Sequence, residues 1–457
     1  MSPEPGSATF YVGGSARPGQ SLPDVRVLPP GPESRALGAR LAAVESPSVD
    51  ARRQERAAAS AVDPAPVVYA QGEGSNVVDV DGNRYVDLAA GFGALLLGHR
   101  PAAVAAAIEE QSERLWLALG DVFPSDAKVV LCERLAGLLP GDGAESARVL
   151  LGSSGADAVT AALKTAMLTT GKAGVVAFDG AYHGLSHGPL AACGLRPSFR
   201  EPFAAQLGDH VVFAPYPSDD DGLAASLEVV KRHLARGSIG AVLVEPILGR
   251  GGCVVPPAGF LPALRALCDG AGALLICDEI WTGLGRSGAW LASLEAGVGP
   301  DLVCLGKGLG GGFPISACIG TRAAMRAWGA HGGSTIHTGT HFGAPLACAA
   351  AVATLEAIEG ASLPERARKV GDRWMSRLRG IAPGEVLAVR GRGLMVGVVL
   401  SGGAPRAGAV SRRLLERGWI VLTGGAAGDV LTLTPPLDIE VTLLDAFAEA
   451  LADALGA

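Results

Sequence analysis

No apolar stretch in this chain reaches the roughly 18 residues that a membrane-spanning helix needs. The most apolar regions are interrupted by Glu245, Arg250, Asp278 and Lys307. The positive mean hydropathy therefore reads as alanine and glycine packing, and no membrane association is expected. The first thirty-odd residues are rich in Pro, Gly and Ser but lack a basic start followed by an apolar core, so no secretory leader is expected. Long runs of one charge are also missing. The formal net charge is −7 over 457 residues, and nothing is suited to neutralising phosphate backbones, so nucleic acid is not an expected partner. The eight cysteines form no CxxC pair, and several sit in apolar runs such as LLICDE and DLVCLG. Buried free thiols in a reducing cytoplasm are the expectation.

What is present is a large apolar fraction, 49%, in a chain long enough for two domains or one large domain with an appendage. Residues 1–35 read as a mobile arm or a tail that wraps a partner. Residues 76–88 read as a hairpin around Asp81-Gly82, a preferred tight-turn pair. Ala102 to Leu119 has a helical pattern. Apolar strands then alternate with amphipathic helices: strands near 149–151, 175–178, 241–245, 273–278, 302–305 and 315–319, and helices near 156–170, 223–235 and 261–269. That alternation predicts an α/β fold with a mostly parallel sheet covered on both faces. From Pro345 the pattern mixes helices and short strands. The expected organisation is an arm (1–35), a small α+β domain from 36–89 and 345–457, and a large domain over 90–344.

In open α/β sheets ligands gather beyond the carboxyl ends of the strands. After the strand near 149–151 comes Gly-Ser-Ser-Gly-Ala before a helix, whose free amides and dipole can hold a phosphate, although such turns are often only caps. After 175–178 comes Asp-Gly-Ala-Tyr-His-Gly. The next strands end in Glu245-Pro246, Asp278-Glu279 and Gly306-Lys307. The chain has only six lysines, and Lys307 alone follows an apolar strand between glycines. A desolvated lysine has a lowered pKa and can act as a nucleophile; a loop lysine paired with a carboxylate is the bland alternative. A carboxylate at the end of a buried strand, as at Asp278, needs a charged or hydrogen-bonding partner: a pyridinium nitrogen, a salt bridge or a cap. Tyr182 could stack on a flat ring or simply belong to the core. His183 and His187 stand four apart, but Gly180 and Gly184 argue against a helix there, and no metal site is expected.

In order along the chain, LGSSGADA (151–158), FDGAYHG (178–184), LVEPILGRGG (243–252), LLICDEIWTGLGRSG (274–288), PDLVCLGKGLGGGFP (300–314) and THFGAP (340–345) resemble the class III, ornithine/4-aminobutyrate-type aminotransferases of fold type I. The resemblance implies pyridoxal 5'-phosphate as cofactor and transfer of an amino group, in two half-reactions, from an amine or amino-acid donor to a keto-acid or aldehyde acceptor. It implies that Lys307 carries the cofactor as a Schiff base and shuttles the substrate proton, and that Asp278 pairs with the pyridine nitrogen. Tyr182 and Ile280 would flank the ring, and Gly155 and Ala156, with Ser154, would bind the phosphate. His183 and Trp281 complete the implied cofactor contacts. Thr340 would reach the phosphate in a partner subunit, so a homodimer with shared sites is implied. Glu245 matches the glutamate of the EP motif.

The departures concern substrate recognition. The arginine that often follows YHG is Leu185. The arginine two residues before PPL is Thr432. The gating glutamate of the EP loop is Arg250. The glutamine usual after the DE-apolar triplet is Trp281. Both expected carboxylate clamps are therefore absent, which argues against a plain 4-aminobutyrate or ornithine enzyme. Arginine is the preferred bidentate partner of a carboxylate. The expectation is that Arg250 holds a substrate carboxylate, with Phe92, Leu185 and Thr432 also facing substrate; the alternative is that Arg250 points to solvent or pairs with Glu245 or Glu279. An amino-acid racemase or epimerase of the same family is the main competing function. A decarboxylase, a non-catalytic homologue and a dinucleotide-binding oxidoreductase are weaker ones, the last because GLGGGF and GRGLMVG do not fit GxGxxG between strand and helix.

Overall fold

Strand Ala147–Gly152 opens a seven-stranded sheet. The computed structural model describes residues 19–60, 65–141, 146–330 and 335–456. The spatial order of the sheet is Ala147–Gly152, Ser316–Thr321, Leu302–Leu305, Leu274–Asp278, Ile239–Val244, Gly174–Phe178, Val211–Ala214. Six strands run parallel, and Ser316–Thr321 runs antiparallel to both of its neighbours. The central strands are buried along nearly their whole length, which is why they read as unbroken apolar runs. Helix Gly155–Thr170 lays Ala158, Val159, Ala161, Ala162 and Ala166 on this sheet. It starts at a reciprocal capping box between Ser154 and Asp157 and stops at Gly171 in the left-handed region, φ 68°.

Two four-stranded sheets lie outside the central one. The first joins Tyr69–Glu73, Asn76–Asp79 and Arg84–Asp87 to Trp419–Ile420 near the other end of the chain. The second joins Val386–Arg392, Met395–Leu400, Val430–Leu433 and Leu422–Gly424. Helix Pro345–Gly360 packs on helices Ala102–Ser112 and Asp126–Ala136 and on the turn Lys307–Gly310, so packing does not break at residue 345. One apolar core runs through both regions. No single helix among the described residues is long and apolar enough to cross a membrane. The pair Pro345–Gly360 and Leu363–Arg379 passes by length and composition only, is bent by 62°, and buries much of its first helix.

Several expectations are corrected. Residues 1–18 of the expected arm lie outside the described residues, but from Gly19 the segment is tied down. Asn76 Oδ1 accepts from the Ser21 amide at 2.8 Å, Asn83 Oδ1 accepts from the amides of Arg26 and Val27, and Asp24 bridges Arg84. The expected helix over 102–119 ends at Ser112. The Trp116 indole N–H takes the Ser112 carbonyl at 2.6 Å, which the next helical turn would have used. Helices Pro32–Ala42, Pro47–Ser60, Asp126–Ala136 and Gly403–Glu416 and strand Val211–Ala214 are additional to the sequence reading. All eight cysteines are free, and seven of them are buried.

Candidate active site

Because the strands that carry them are parallel, Glu245, Asp278 and Lys307 emerge at the same edge of the sheet. Asp278 is the last residue of its strand and 3% exposed. Its Oδ1 accepts from the Ile280 amide at 3.1 Å, and its Oδ2 lies 2.7 Å from His183 Nδ1. His183 Nε2 is buried without a partner among the described residues. Glu245 is buried one residue past its strand. Its two oxygens accept from the amides of Tyr182 at 2.7 Å and Gly249 at 2.9 Å, and its carbonyl accepts from the Tyr216 hydroxyl at 2.9 Å. Burial, with Asp278 adding, pushes the Glu245 carboxyl up to about 6 against the pull of His183 and the two amides.

Lys307 follows Gly306 and opens a short 3-10 turn at φ 40°, a backbone region that side chains other than glycine rarely occupy. Among the described residues its amine has no carboxylate partner, and Nζ rests 3.9 Å from the centre of the Trp281 ring. Burial holds this amine down to about 8; Arg250 and Arg286 add to the shift, and Glu245 and Asp278 oppose it.

Tyr182 and Phe199 form an aromatic shelf. The Arg250 guanidinium lies 4.5 Å over the Tyr182 ring and 6.0 Å from the ring of Phe199, which meets Tyr182 edge-on. Arg250 makes no ion pair among the described residues. The alternative pairings with Glu245 and Glu279 do not form, because Glu279 is engaged by Thr282 and by the amides of Ala292 and Ser293. Ser154, Gly155 and Ala156 form the start of helix Gly155–Thr170. A Cβ at Gly155 would meet Ile280 at 2.8 Å, so the helix start and Ile280 are in close contact. Ile280 also borders Gly306.

Trp281 is 7% exposed and packs with Ile247, Cys253 and Met395. Glycines on both sides make room for it: a Cβ at Gly93 would lie 2.2 Å from the indole nitrogen, and one at Gly249 2.3 Å from the benzo edge. Ala90, Gly91, Phe92 and Gly93 form a left-handed turn with φ of 41°, 60°, 60° and 78°. That turn leaves Phe92 exposed while seating Gly93 on Trp281. Leu185 is also exposed, next to the Tyr182-His183 segment. Thr432 is buried in strand Val430–Leu433 beside Gly424, and its hydroxyl has no hydrogen-bond partner among the described residues. Thr340 is exposed, on the loop before helix Pro345–Gly360.

Sequence reasoning passed over Phe199, Gly93, Gly249 and Arg286. Phe199 carries no local signal. Gly93 and Gly249 stand in glycine-bearing strings, GFGALLLGH and EPILGRGG, that could have marked close approach. Arg286, fully buried, donates to the Leu394 carbonyl at 2.9 Å and to the Pro435 carbonyl at 2.5 Å, tying the turn after Trp281 to the outer strands. Among the described residues no group of three His, Cys, Asp or Glu side chains could hold a metal ion.

A helix start in contact with Ile280, two residues past a buried carboxylate, and a buried lysine that is unpaired among the described residues suit a phosphorylated, flat heteroaromatic cofactor. Comparison with known proteins agrees. The family Aminotransferase class-III matches residues 57–455. The chain is 39% identical to the acetylornithine aminotransferase of Mycobacterium tuberculosis over 390 residues, 84% of this chain and 91% of the relative. It is 39% identical to the 5-aminovalerate aminotransferase DavT of Pseudomonas aeruginosa over 395 residues, 82% of this chain and 90% of the relative. An amine transaminase from an uncultivated Pseudomonas species, solved with pyridoxal phosphate bound, superposes with a TM-score of 0.78 at 30% identity, covering 86% of this chain and 94% of that one. The ornithine aminotransferase of Toxoplasma gondii gives 0.76 at 31%, covering 86% and 90%. The chain belongs to the class III aminotransferases. It is a pyridoxal-phosphate-dependent enzyme of fold type I that transfers amino groups.

Proposed function

We propose that Arg250 is the carboxylate anchor of this aminotransferase, and that its substrates pair an amino acid or keto acid with a more apolar amine or aldehyde partner. The carrying observation is the guanidinium held 4.5 Å over Tyr182 with no carboxylate of the described chain within ion-pair distance. A guanidinium prepositioned at a site mouth and left unpaired is available to a bidentate carboxylate. Leu185 and Trp281 supply the apolar walls. The names of the relatives, acetylornithine and 5-aminovalerate aminotransferase, describe substrates that carry a carboxylate as well as an amine.

The site fits pyridoxal phosphate on its own geometry. The amides of Gly155 and Ala156, at the start of helix Gly155–Thr170, have no hydrogen bond among the described residues, and a Cβ at Gly155 would run into Ile280. Ser154, Gly155 and Ala156 would bind the phosphate, Tyr182 and Ile280 would flank the ring, and Asp278, oriented by His183, would meet the pyridine nitrogen. Trp281 would border the ring beside Lys307. Lys307 would hold the cofactor covalently. When bound, the ring supplies an electron sink that eases proton loss from the substrate carbon. Lys307 Nζ, its pKa lowered toward neutrality, takes and returns that proton. Glu245 braces Tyr182 and the Gly249 turn through their amides.

The proposal includes a cytoplasmic homodimer in which Thr340 faces the phosphate site of the partner subunit. Its support is an apolar surface left open by one chain: Leu115, Trp116, Leu117, Leu119, Val122 and Phe123 are all exposed.

Arg250→Ala tests the anchor. Loss of a charged hydrogen-bonded pair costs about 1.5–3 kcal/mol, so kcat/KM for carboxylate substrates should fall about tenfold to a hundredfold. The loss should be much smaller for an amine without a carboxylate, which feels only the change at Lys307 and Tyr182. Unchanged kcat/KM for every carboxylate substrate refutes the proposal.

A further inference from the structure

We propose that Trp281 is a positioning residue, the platform on which the free amine of Lys307 rests whenever it is not bonded to the cofactor. The inference builds on the assignment of Lys307 proposed above.

Three observations carry it. The Lys307 amine lies 3.9 Å from the centre of the Trp281 ring, within the range of a cation–π contact, and no other group of the described chain binds it. The ring cannot slide away, because it is wedged between Gly93 and Gly249 at separations that exclude even a methyl group on either glycine. It also packs in one buried cluster with Ile247, Cys253 and Met395. Finally, its indole N–H is buried without an acceptor among the described residues, so no hydrogen bond there explains its orientation. The side chain's specific polar or electrostatic engagement in this region is its face, and the face is turned to Lys307.

The chemistry gives this contact a purpose. In each half-reaction the lysine amine is freed and must stay beside the reacting carbon. A flexible four-carbon stem without a resting place would sample several rotamers. A carboxylate partner would hold it but would also keep it protonated. An aromatic face holds the ammonium more weakly and releases the neutral amine readily. The charged groups that act on Lys307 are Glu245 and Asp278, which favour the ammonium, and Arg250 and Arg286, which disfavour it. The ring adds to the first pair.

The test compares Trp281→Phe with Trp281→Leu, which are similar in size and differ in the aromatic face. The cofactor-free full-length chain is labelled with acetic anhydride across a pH series. Modification at Lys307 is read by mass spectrometry of its peptide, with the other five lysines as internal references. The ring stabilises the charged amine, so removing it lowers the titration midpoint. Trp281→Leu should shift the ammonium-to-amine ratio about three- to thirtyfold toward the amine, with Trp281→Phe in between. Matching thermal midpoints for the two variants exclude a folding difference. A Trp281→Leu midpoint at or above that of the parent, or equal midpoints for Leu and Phe, overturns the inference. Peptide mapping of the borohydride-reduced holoenzyme separates the two layers. Cofactor found on another lysine overturns the assignment of Lys307 and this inference with it. Cofactor on Lys307 with an unmoved midpoint overturns the Trp281 role alone.

Discussion

Replacing Gly93 with alanine should destabilise the protein far more than the same change at Gly82, a left-handed glycine with open space around it. Two costs combine. Gly93 has φ 78°, and an alanine in that region loses about 1–2 kcal/mol. Its new Cβ would also stand 2.2 Å from Trp281 Nε1 and 2.9 Å from Cδ1, and the ring has little room to shift because Gly249 crowds its benzo edge. Overpacking of a buried site typically adds about 1–3 kcal/mol. The expected total is about 2–5 kcal/mol. Gly82→Ala is the control: its φ is 85°, but nothing lies within 4 Å of a Cβ there, so only the backbone cost of about 1–2 kcal/mol applies. Urea unfolding of the two variants side by side measures the difference. Adding Trp281→Phe to Gly93→Ala should recover most of the contact cost, because neighbouring substitutions that share one clash are non-additive. The reasoning fails if Gly93→Ala is no worse than Gly82→Ala, or if the smaller ring brings no relief.

Glu245 should make the cofactor-free chain less stable as pH rises. Its folded pKa of about 6 stands above an ordinary 4.5, so the native state binds the proton more tightly. The stabilisation is complete below about pH 4.5 and lost as pH passes 6, a change of about 2 kcal/mol that Glu245→Gln should remove; parallel stability–pH curves for parent and variant would sink the idea. Phe123→Glu should place a charge in the exposed apolar surface and weaken self-association at least about thirtyfold if Phe123 is a buried anchor there. Sedimentation at several concentrations gives the answer, and an unchanged mass at all of them counts against that surface.

The amino-acid order alone marked six of the seven strands of the central sheet, because strands buried on both faces must be apolar without interruption; the edge strand Val211–Ala214, only partly buried, escaped it. It also marked Glu245, Asp278 and Lys307, since polar residues ending such strands stand out locally. The capping box at Ser154 and Asp157 is legible for the same reason: its partners are three residues apart. The helix ending at Ser112 was not legible, because the Trp116 side chain competes for a carbonyl that periodicity assigns to the backbone. Nor was the docking of the segment from Gly19, which depends on Asn76 and Asn83 some 55 positions away. Only the tertiary structure decided that Arg250 stacks on Tyr182 instead of pairing with Glu245 or Glu279. Both glutamates are already satisfied by groups from other segments, and no local pattern records which donors reach them. The seat of Trp281 is of the same kind. It needs two glycines from segments 156 positions apart, Gly93 and Gly249, to meet across one ring, and chain order carries no information about that meeting.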